Sequence, residues 1–193
     1  MAAEWIPAFA GMTDCVMLLL SNEWLSNKKG SIRMEEKELK QACLNLMEKV
    51  DVLYLSTIDV NGFPHTRIMS NLRDKKQHPN LTGMFEQHKE DFLIYMATSS
   101  SSVKMQQIRA NPKVSVYLGV YTEVPSDFQC LMLCGEIEEV SDQQLKEQLW
   151  QSGWEMFWQG GVDDPEFTVL RLMPVFARGG YKESPFEFEL YCS

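Results

Sequence analysis

Apolar positions along the chain follow two periods, and each predicts a different kind of element. At helical spacing, the apolar side chains near residue 40 recur at i, i+4, i+7, i+8 and i+11: Leu39, Cys43, Leu46, Met47 and Val50. Charged residues lie between them, so this pattern predicts an amphipathic helix over residues 35–50. Another helix is predicted over residues 103–110. It ends before Pro112 because proline cannot continue a helix.

Runs rich in β-branched and aromatic residues predict the strands. They span residues 52–58, 63–72, 93–97, 114–120, 130–140, 167–172 and 186–191. Asn61-Gly62 predicts a tight hairpin between the first two, because this pair tolerates positive φ. Ser141 and Gln144 match a capping box and predict a helix over residues 142–158. This order predicts one α+β domain, mainly β, built as a small barrel.

Residues 1–33 differ from the rest because they show no sustained helical or strand period. Residues 5–13 are similar to peptides translated from repetitive intergenic bacterial DNA, and Met34 opens the first helix. We hypothesise that residues 1–33 are an extension without a role, and that residues 34–193 form the domain. An ordinary, poorly ordered N-terminus is the alternative. Detection of a native peptide through residues 20–33 by mass spectrometry would refute the extension.

Composition narrows the choice of partners and compartment. The chain has 193 residues, 45% of them hydrophobic, and a formal net charge of −9. An acidic surface repels polyphosphate, so nucleic acid is not expected as a partner. The longest apolar run, residues 15–20, is too short to span a membrane and has no basic residues before it. We therefore expect a cytoplasmic protein without a membrane segment.

The five cysteines are odd in number and scattered, which predicts reduced thiols. Cys130 and Cys134 lie four apart in a predicted strand, about 13 Å from each other by strand rise. That distance excludes a disulfide between them and argues against a shared metal ion, so no metal site is predicted.

A basic stretch over residues 63–76 interrupts this acidic composition. Strand alternation places four side chains on one face: Arg67, Met69, Asn71 and Arg73. Ile68 and Leu72 lie on the other face, where they can pack on a core while the Arg/Asn row meets a polar ligand. Arginine suits phosphate because its planar guanidinium forms two parallel hydrogen bonds. A solvated strand face is the alternative.

A serine-rich segment, residues 98–104, leads into the helix predicted over residues 103–110. Its hydroxyls, free backbone N–H groups and helix dipole favour an anion, and Lys104 adds a full positive charge. A flexible serine loop with a simple N-cap is the alternative. Together with the strand that carries Arg67, the segment offers donors and charge suited to one phosphate.

Short motifs then follow in a specific order: Leu55-Ser56-Thr57, Asn61-Gly62-Phe63-Pro64, Thr66-Arg67, Asn71-Leu72-Arg73, Ser102-Val103-Lys104, Asn111-Pro112, Gly160-Gly161 and Asp163-Asp164-Pro165. In this order the chain resembles the pyridoxamine 5'-phosphate oxidase-like, FMN-binding split-barrel family, in its general stress protein branch. The resemblance implies a six-stranded split β-barrel with flanking helices. It also implies FMN as cofactor and a homodimer that holds FMN at the subunit interface.

By position, the resemblance implies these cofactor-binding residues: Arg67, Ile68, Met69, Ser70, Asn71, Ala97, Thr98, Ser102, Lys104 and Trp158. Arg67 and Lys104 hold the phosphate with help from Ser102, and the others lie along the ribityl chain and isoalloxazine. Trp158 or the Gly160-Gly161 loop reaches the partner's flavin. For the helical stripe that ends at Trp158, packing in the core or dimer interface is the alternative.

Departures from the family pattern limit the expected activity. Leu72 stands where the true pyridoxamine phosphate oxidases have lysine, and Val103 stands where an arginine often precedes the phosphate lysine. We expect an FMN-dependent oxidoreductase acting on an unknown small substrate, and not a vitamin B6 oxidase. A non-catalytic, stress-associated flavin-binding protein is the alternative, as are a deazaflavin or haem cofactor and an acidic interaction module without cofactor. No catalytic acid or base is identified; His65 lies near the flavin edge or on the surface.

Overall fold

The computed structural model describes residues 35–124, 127–182 and 184–190, so the extension predicted over residues 1–33 lies outside the described residues. The α-helices are α1 (Glu36–Met47), α2 (Thr82–Glu86), α3 (Val103–Ala110) and α4 (Gln143–Leu149). The strands are β1 (Val52–Ile58), β2 (Pro64–Ser70), β3 (Ile94–Ser99), β4 (Lys113–Val120), β5 (Gln129–Glu139), β6 (Phe167–Tyr181) and β7 (Ser184–Glu189). Short 3₁₀ helices span Pro79–Leu81, Trp154–Met156 and Gly161–Asp163.

The strands form one antiparallel sheet in the order β2-β1-β4-β5-β6-β3. The long strand β6 pairs with β3 along its first half and with β7 along its second half. The two end strands, β2 and β3, contact each other but share no hydrogen-bonded ladder within the described residues. The sheet therefore curves into a split barrel. The predicted α+β fold, with six strands along the barrel path and flanking helices, is confirmed. The further strand predicted over residues 186–191 corresponds to β7, which lies off this path and pairs with β6.

The β1–β2 hairpin brings a buried threonine beside Arg67. The Asp59 N–H donates to the Phe63 carbonyl at 3.0 Å, and Gly62 has a φ of +86°, which glycine adopts without strain. This turn sets a register in which Leu55 lies opposite Arg67. Thr57, two residues after Leu55, is therefore the diagonal neighbour of Arg67 on the same face of the ladder.

Two apolar clusters fill the fold, and β3 lies between them. Ile94 and Met96 face the main core inside the barrel, which α1 also packs against. Tyr95 and Ala97 face a second cluster that is rich in aromatic side chains and contains Trp158. Because both faces are covered, β3 reads as an almost continuous apolar run in the sequence.

The helix predicted over residues 142–158 is wrong beyond Leu149. The Gln151 Nε2 amide donates to the carbonyls of Leu149 and Trp150, both at 3.0 Å, and so replaces the backbone donors that a continuing helix would provide. Gly153 then has a φ of +92°, which no α-helix contains. The remainder of the segment is formed by irregular chain and one 3₁₀ helix, Trp154–Met156.

The described cysteines Cys43, Cys130 and Cys134 are reduced thiols, as predicted. Burial raises the pKa of Cys43 to about 12, so its thiol stays protonated. Within the described ranges, no group of three or more His, Cys, Asp or Glu side chains could hold a metal ion. None of the helices described is long and apolar enough to cross a membrane.

Candidate anion-binding site

Two cationic side chains converge where β2 and α3 flank β1. Arg67 lies on the same face of β2 as the buried Met69. Its side chain is therefore on the inner face of the curved sheet and is half-buried. Lys104 lies in the first turn of α3, which contacts β1. Burial, and after it the nearby positive charge of Arg67, lower the pKa of Lys104.

Arg67 is held by two neutral oxygen atoms. One terminal nitrogen donates to Thr57 Oγ1 at 2.5 Å, and the other donates to Gln107 Oε1 at 2.9 Å. The Thr57 hydroxyl itself donates to Gln107 Oε1 at 2.5 Å, which closes the arrangement. Thr57 and Gln107 are both buried, so the orientation of the guanidinium is fixed by the fold.

Among the residues that the structure describes, the partners of Lys104 are hydroxyl oxygens. Its Nζ donates to Thr98 Oγ1 at 2.8 Å and, more weakly, to Ser102 Oγ at 3.4 Å. Ser102 is the N-cap of α3, but its hydroxyl accepts no backbone N–H of the helix. The structure thus brings together Arg67, Thr98, Ser102 and Lys104 from the predicted set.

No carboxylate lies within ion-pair distance of Arg67 or Lys104 in the described part of the chain. Elsewhere Arg109, Arg171 and Arg178 each pair with a glutamate. Two adjacent cations without a counter-charge are unfavourable when partly buried, and an external anion relieves that repulsion. The site therefore has the charge and donors of an anion-binding site.

Only part of the serine run is directed to this site. The Ser100 N–H and hydroxyl donate to the carbonyls of Glu166 and Pro165, and the Ser101 N–H and hydroxyl donate to the Glu166 carboxylate. These serines tie the β3–α3 connection to the loop before β6. They leave Ser102 as the serine that contacts Lys104.

The predicted faces of the strand around Arg67 are partly inverted. Ile68 is 61% exposed, whereas Met69 is buried in the main core. Alternation correctly predicts that successive side chains of β2 point to opposite faces. It does not predict which face is buried, because each face carries an apolar residue, and in the folded chain Met69 is the one that packs in the core. Ile68 and Ser70 therefore lie on the outer face of β2. Ala97 faces the second cluster and is directed away from the neighbouring Thr98.

The prediction that Asn71 and Arg73 face a polar ligand is wrong for their side chains. Asn71 Nδ2 donates to the carbonyls of Met47 and Val50, both at 2.7 Å, and thereby closes the end of α1. Arg73 is 2% exposed and donates to the carbonyls of Leu93 and His88. Both side chains serve the fold, because each satisfies backbone carbonyl groups.

Arg73 also lies over the ring of Phe85, 5.0 Å from its centroid, while its buried Nε atom has no acceptor in the described residues. Leu72, between Asn71 and Arg73, is buried in the second cluster. The basic stretch thus contributes one side chain, Arg67, to the anion-binding site.

Sequence reasoning missed Thr57 and Gln107, although two signals pointed to them. The hairpin register places Thr57 diagonal to Arg67, and Gln107 follows Lys104 by three residues on α3, which puts them on one helical face. What the sequence lacked was the packing of α3 on β1, which joins residues 50 positions apart.

A buried histidine behind Ser70 was also missed. His78 Nδ1 lies 3.1 Å from Gln151 Oε1, and His78 Nε2 lies 3.4 Å from Ser70 Oγ. Because Gln151 donates its amide nitrogen to carbonyls, its oxygen accepts the proton of His78 Nδ1. His78 therefore links β2 to the end of α4. His65, by contrast, is exposed and lies 3.1 Å from Asp59 in the hairpin turn.

Trp158 is 7% exposed and packs within its own chain. Its ring centroid lies 5.0 Å from that of Phe167 and 5.6 Å from that of Trp154. These contacts agree with the packing alternative, although the residues share no single helix. The indole Nε1 is buried and has no acceptor among the described residues, which packing does not account for. Contact of Trp158 or its loop with a partner's flavin stays a prediction.

An open cleft of about 410 Å³ lies away from the two cations, near the end of α1. Its lining combines opposite charges, among them Lys49, Asp51, Asp74 and Lys76. It contains none of the predicted binding residues, and its charges balance internally. The uncompensated charge of Arg67 and Lys104 is therefore the better guide to a ligand.

The fold and the site together describe a split-barrel protein with a cationic pair suited to an anion. Comparison with known proteins shows the family to which the chain belongs. Residues 39–178 match the family model described as pyridoxamine 5'-phosphate oxidase. The chain belongs to this family, as its sequence motifs suggested.

Three relatives show the range of the similarity. General stress protein 26 of Bacillus subtilis is 29% identical over 141 residues, which cover 73% of this chain and 87% of that protein. A crystal structure from Clostridium acetobutylicum, described as related to general stress protein 26, aligns with a TM-score of 0.60 and 24% identity over 81% of this chain and 97% of its own. A heme binding protein from Mycobacterium smegmatis aligns with a TM-score of 0.57 and 12% identity over 82% of this chain and 59% of its own, which shows a shared fold.

Proposed function

We propose that this protein is a cytoplasmic FMN-binding flavoprotein that passes electrons between its flavin and a small substrate. The observation that carries the proposal is the pair Arg67 and Lys104, held by neutral oxygens and lacking a carboxylate partner in the described residues. The family to which the chain belongs supports a cofactor with a phosphate group.

The residues present fit the phosphate of FMN. Arg67 offers a planar, oriented donor group, Lys104 offers a mobile point charge, and Thr98 and Ser102 place hydroxyls beside it. Backbone groups of residues 67–71 flank the ribityl chain. When bound, FMN supplies the redox chemistry, while the protein binds and orients it and sets its electrostatic surroundings.

The substrate is proposed to differ from pyridoxamine phosphate. Leu72 is buried in the second cluster at the place where the resemblance leads one to expect the lysine of the true oxidases. Val103, in place of an often-present arginine, is 63% exposed. This chain therefore offers fewer cations for a second phosphate-bearing ligand.

A homodimer with FMN at its interface forms part of the proposal. Ile68, Tyr54 and Tyr117 are adjacent across β2, β1 and β4, and each is at least 39% exposed on the outer face. A second copy of the chain covers this apolar row. The row includes Ile68, and Ile68 and Ser70 both belong to the segment that the resemblance places along the flavin.

Absorption and flavin titration test the cofactor. Purified or FMN-reconstituted protein is expected to show flavin absorption bands and to quench FMN fluorescence. The double variant Arg67→Ala/Lys104→Ala is expected to weaken FMN binding on the order of a hundredfold, because two charge-assisted contacts are lost. Riboflavin, which lacks the phosphate, serves as the matched ligand and should bind both proteins equally. A haem Soret band, or no uptake of flavin, would refute the FMN assignment.

Anaerobic reduction separates an enzyme from a flavin-storage protein. NADH or NADPH is added to the FMN-loaded protein, and bleaching of the flavin is followed by reoxidation with candidate acceptors. An oxidoreductase is expected to turn over. FMN that binds but accepts no electrons from any donor supports the non-catalytic, stress-associated alternative.

A further inference from the structure

The geometry points to Gln107 and Thr57 as positioning residues that orient Arg67 for a phosphate dianion without neutralising its charge. This inference deepens the proposed function and rests on it for the identity of the ligand. It concerns residues that are buried behind Arg67.

The hydrogen-bond arrangement around Arg67 has only one consistent set of donors. Arginine donates and never accepts, so Thr57 Oγ1 and Gln107 Oε1 must both accept from Arg67. The Thr57 hydroxyl donates its own proton to Gln107 Oε1. Every proton in the triangle is therefore assigned, and both terminal nitrogens of Arg67 are held in place before any ligand arrives.

The chemical character of these oxygens matters as much as their position. A chain with 27 acidic residues has many carboxylates, and those of Glu139, Glu138 and Glu187 pair with arginines elsewhere. Here an amide and a hydroxyl provide the acceptors. They give direction without a negative charge, so the positive potential of Arg67 and Lys104 is left for an external anion.

Gln107 allows this distinction to be tested with an almost isosteric change. Its Nε2 atom has no hydrogen-bond partner in the described residues, so replacing the amide by a carboxylate removes no contact. Gln107→Glu keeps an acceptor in the place of Oε1 and adds one negative charge. The variant therefore separates positioning of Arg67 from its neutralisation.

The experiment measures FMN, riboflavin and inorganic phosphate binding to wild type, Gln107→Glu and Gln107→Leu. Gln107→Glu is expected to bind FMN at least about tenfold more weakly, with riboflavin affinity unchanged and the melting temperature of ligand-free protein equal or higher. Gln107→Leu is expected to lose FMN affinity and to melt at a lower temperature. Thr57→Ser keeps the hydroxyl and should bind FMN like wild type, whereas Thr57→Val should not.

A coupling measurement excludes a merely structural role. In an Arg67→Ala background, Gln107→Glu should cause little further loss of FMN affinity, because its effect acts through Arg67. Equal losses of FMN and riboflavin, full additivity with Arg67→Ala, or wild-type FMN affinity in Gln107→Glu would each overturn the inference. If Gln107→Leu does not fold, the Gln107→Glu and Thr57 variants still decide.

Inorganic phosphate distinguishes failure of this inference from failure of the proposed function. Phosphate should raise the melting temperature of wild type and should do so less for Gln107→Glu. If phosphate acts in this way but FMN does not bind, only the flavin assignment fails. If neither ligand binds wild type, both proposals are overturned.

Discussion

At the scale of single residues, two arginines six positions apart have opposite roles. Arg67 is held by the uncharged side chains of Thr57 and Gln107, and its positive charge acts on a second cation, Lys104. Arg73 is more deeply buried, and its terminal nitrogens donate to the carbonyls of Leu93 and His88. Residue type and strand alternation treat these arginines alike. The difference arises from which backbone groups lie within reach.

Asn71 permits a test of the same distinction. Asn71→Ala is expected to lower the free energy of unfolding by about 2–4 kcal/mol, because the buried carbonyls of Met47 and Val50 lose their donor. Urea denaturation measures the change. Asn45→Ala is the matched control, since Asn45 makes one exposed side-chain hydrogen bond, and should change stability by less than about 0.5 kcal/mol.

Flavin binding to folded Asn71→Ala separates a structural role from a cofactor contact. Because both donor hydrogens of the Asn71 amide go to the carbonyls of Met47 and Val50, the folded variant should bind FMN with nearly wild-type affinity. A loss of FMN affinity at a temperature where the variant is folded, without loss of stability, would instead support the side-chain role that the resemblance implied.

At the scale of elements, strong local stop signals made the sequence informative. Strand β1 and helix α3 have the predicted boundaries, because Asn61-Gly62 follows one and Pro112 follows the other. The prediction of a helix over residues 142–158 was wrong beyond Leu149. Tryptophans spaced by four residues match a helical period, but they can also pack together in a segment that is not one helix. The termination comes from Gln151, whose side-chain hydrogen bonds no period encodes.

The start of α4 gives a further correction and a prediction. The N-cap is Asp142, whose carboxylate accepts the Leu145 N–H at 3.1 Å, and not the predicted Ser141. Asp142→Ala is therefore expected to lower the free energy of unfolding by about 1 kcal/mol. Ser141→Ala, one residue away, should have almost no effect in the same chemical denaturation experiment. The reverse order of the two effects would restore the capping box at Ser141.

At the scale of the whole molecule, fold class and the Arg67–Lys104 pair were accessible from the sequence, while the surroundings of the pair were not. Alternation, turn residues and motif order do not depend on distant packing. Thr57 and Gln107 do, because they meet only when α3 lies on β1. Charge also acts at this scale: with a net charge of −9, two copies of the chain repel each other.

This repulsion gives the proposed dimer a salt dependence of definite sign. If the apolar row of Ile68, Tyr54 and Tyr117 forms the interface, added salt screens the repulsion between acidic chains without breaking interface ion pairs. Sedimentation equilibrium should therefore show tighter association as salt rises from low to physiological ionic strength. Tyr54→Glu should shift the protein toward monomer, whereas Val175→Glu, an exposed apolar position outside the row, should not. Dissociation with added salt, or equal effects of the two variants, would place the interface on a different and more polar surface.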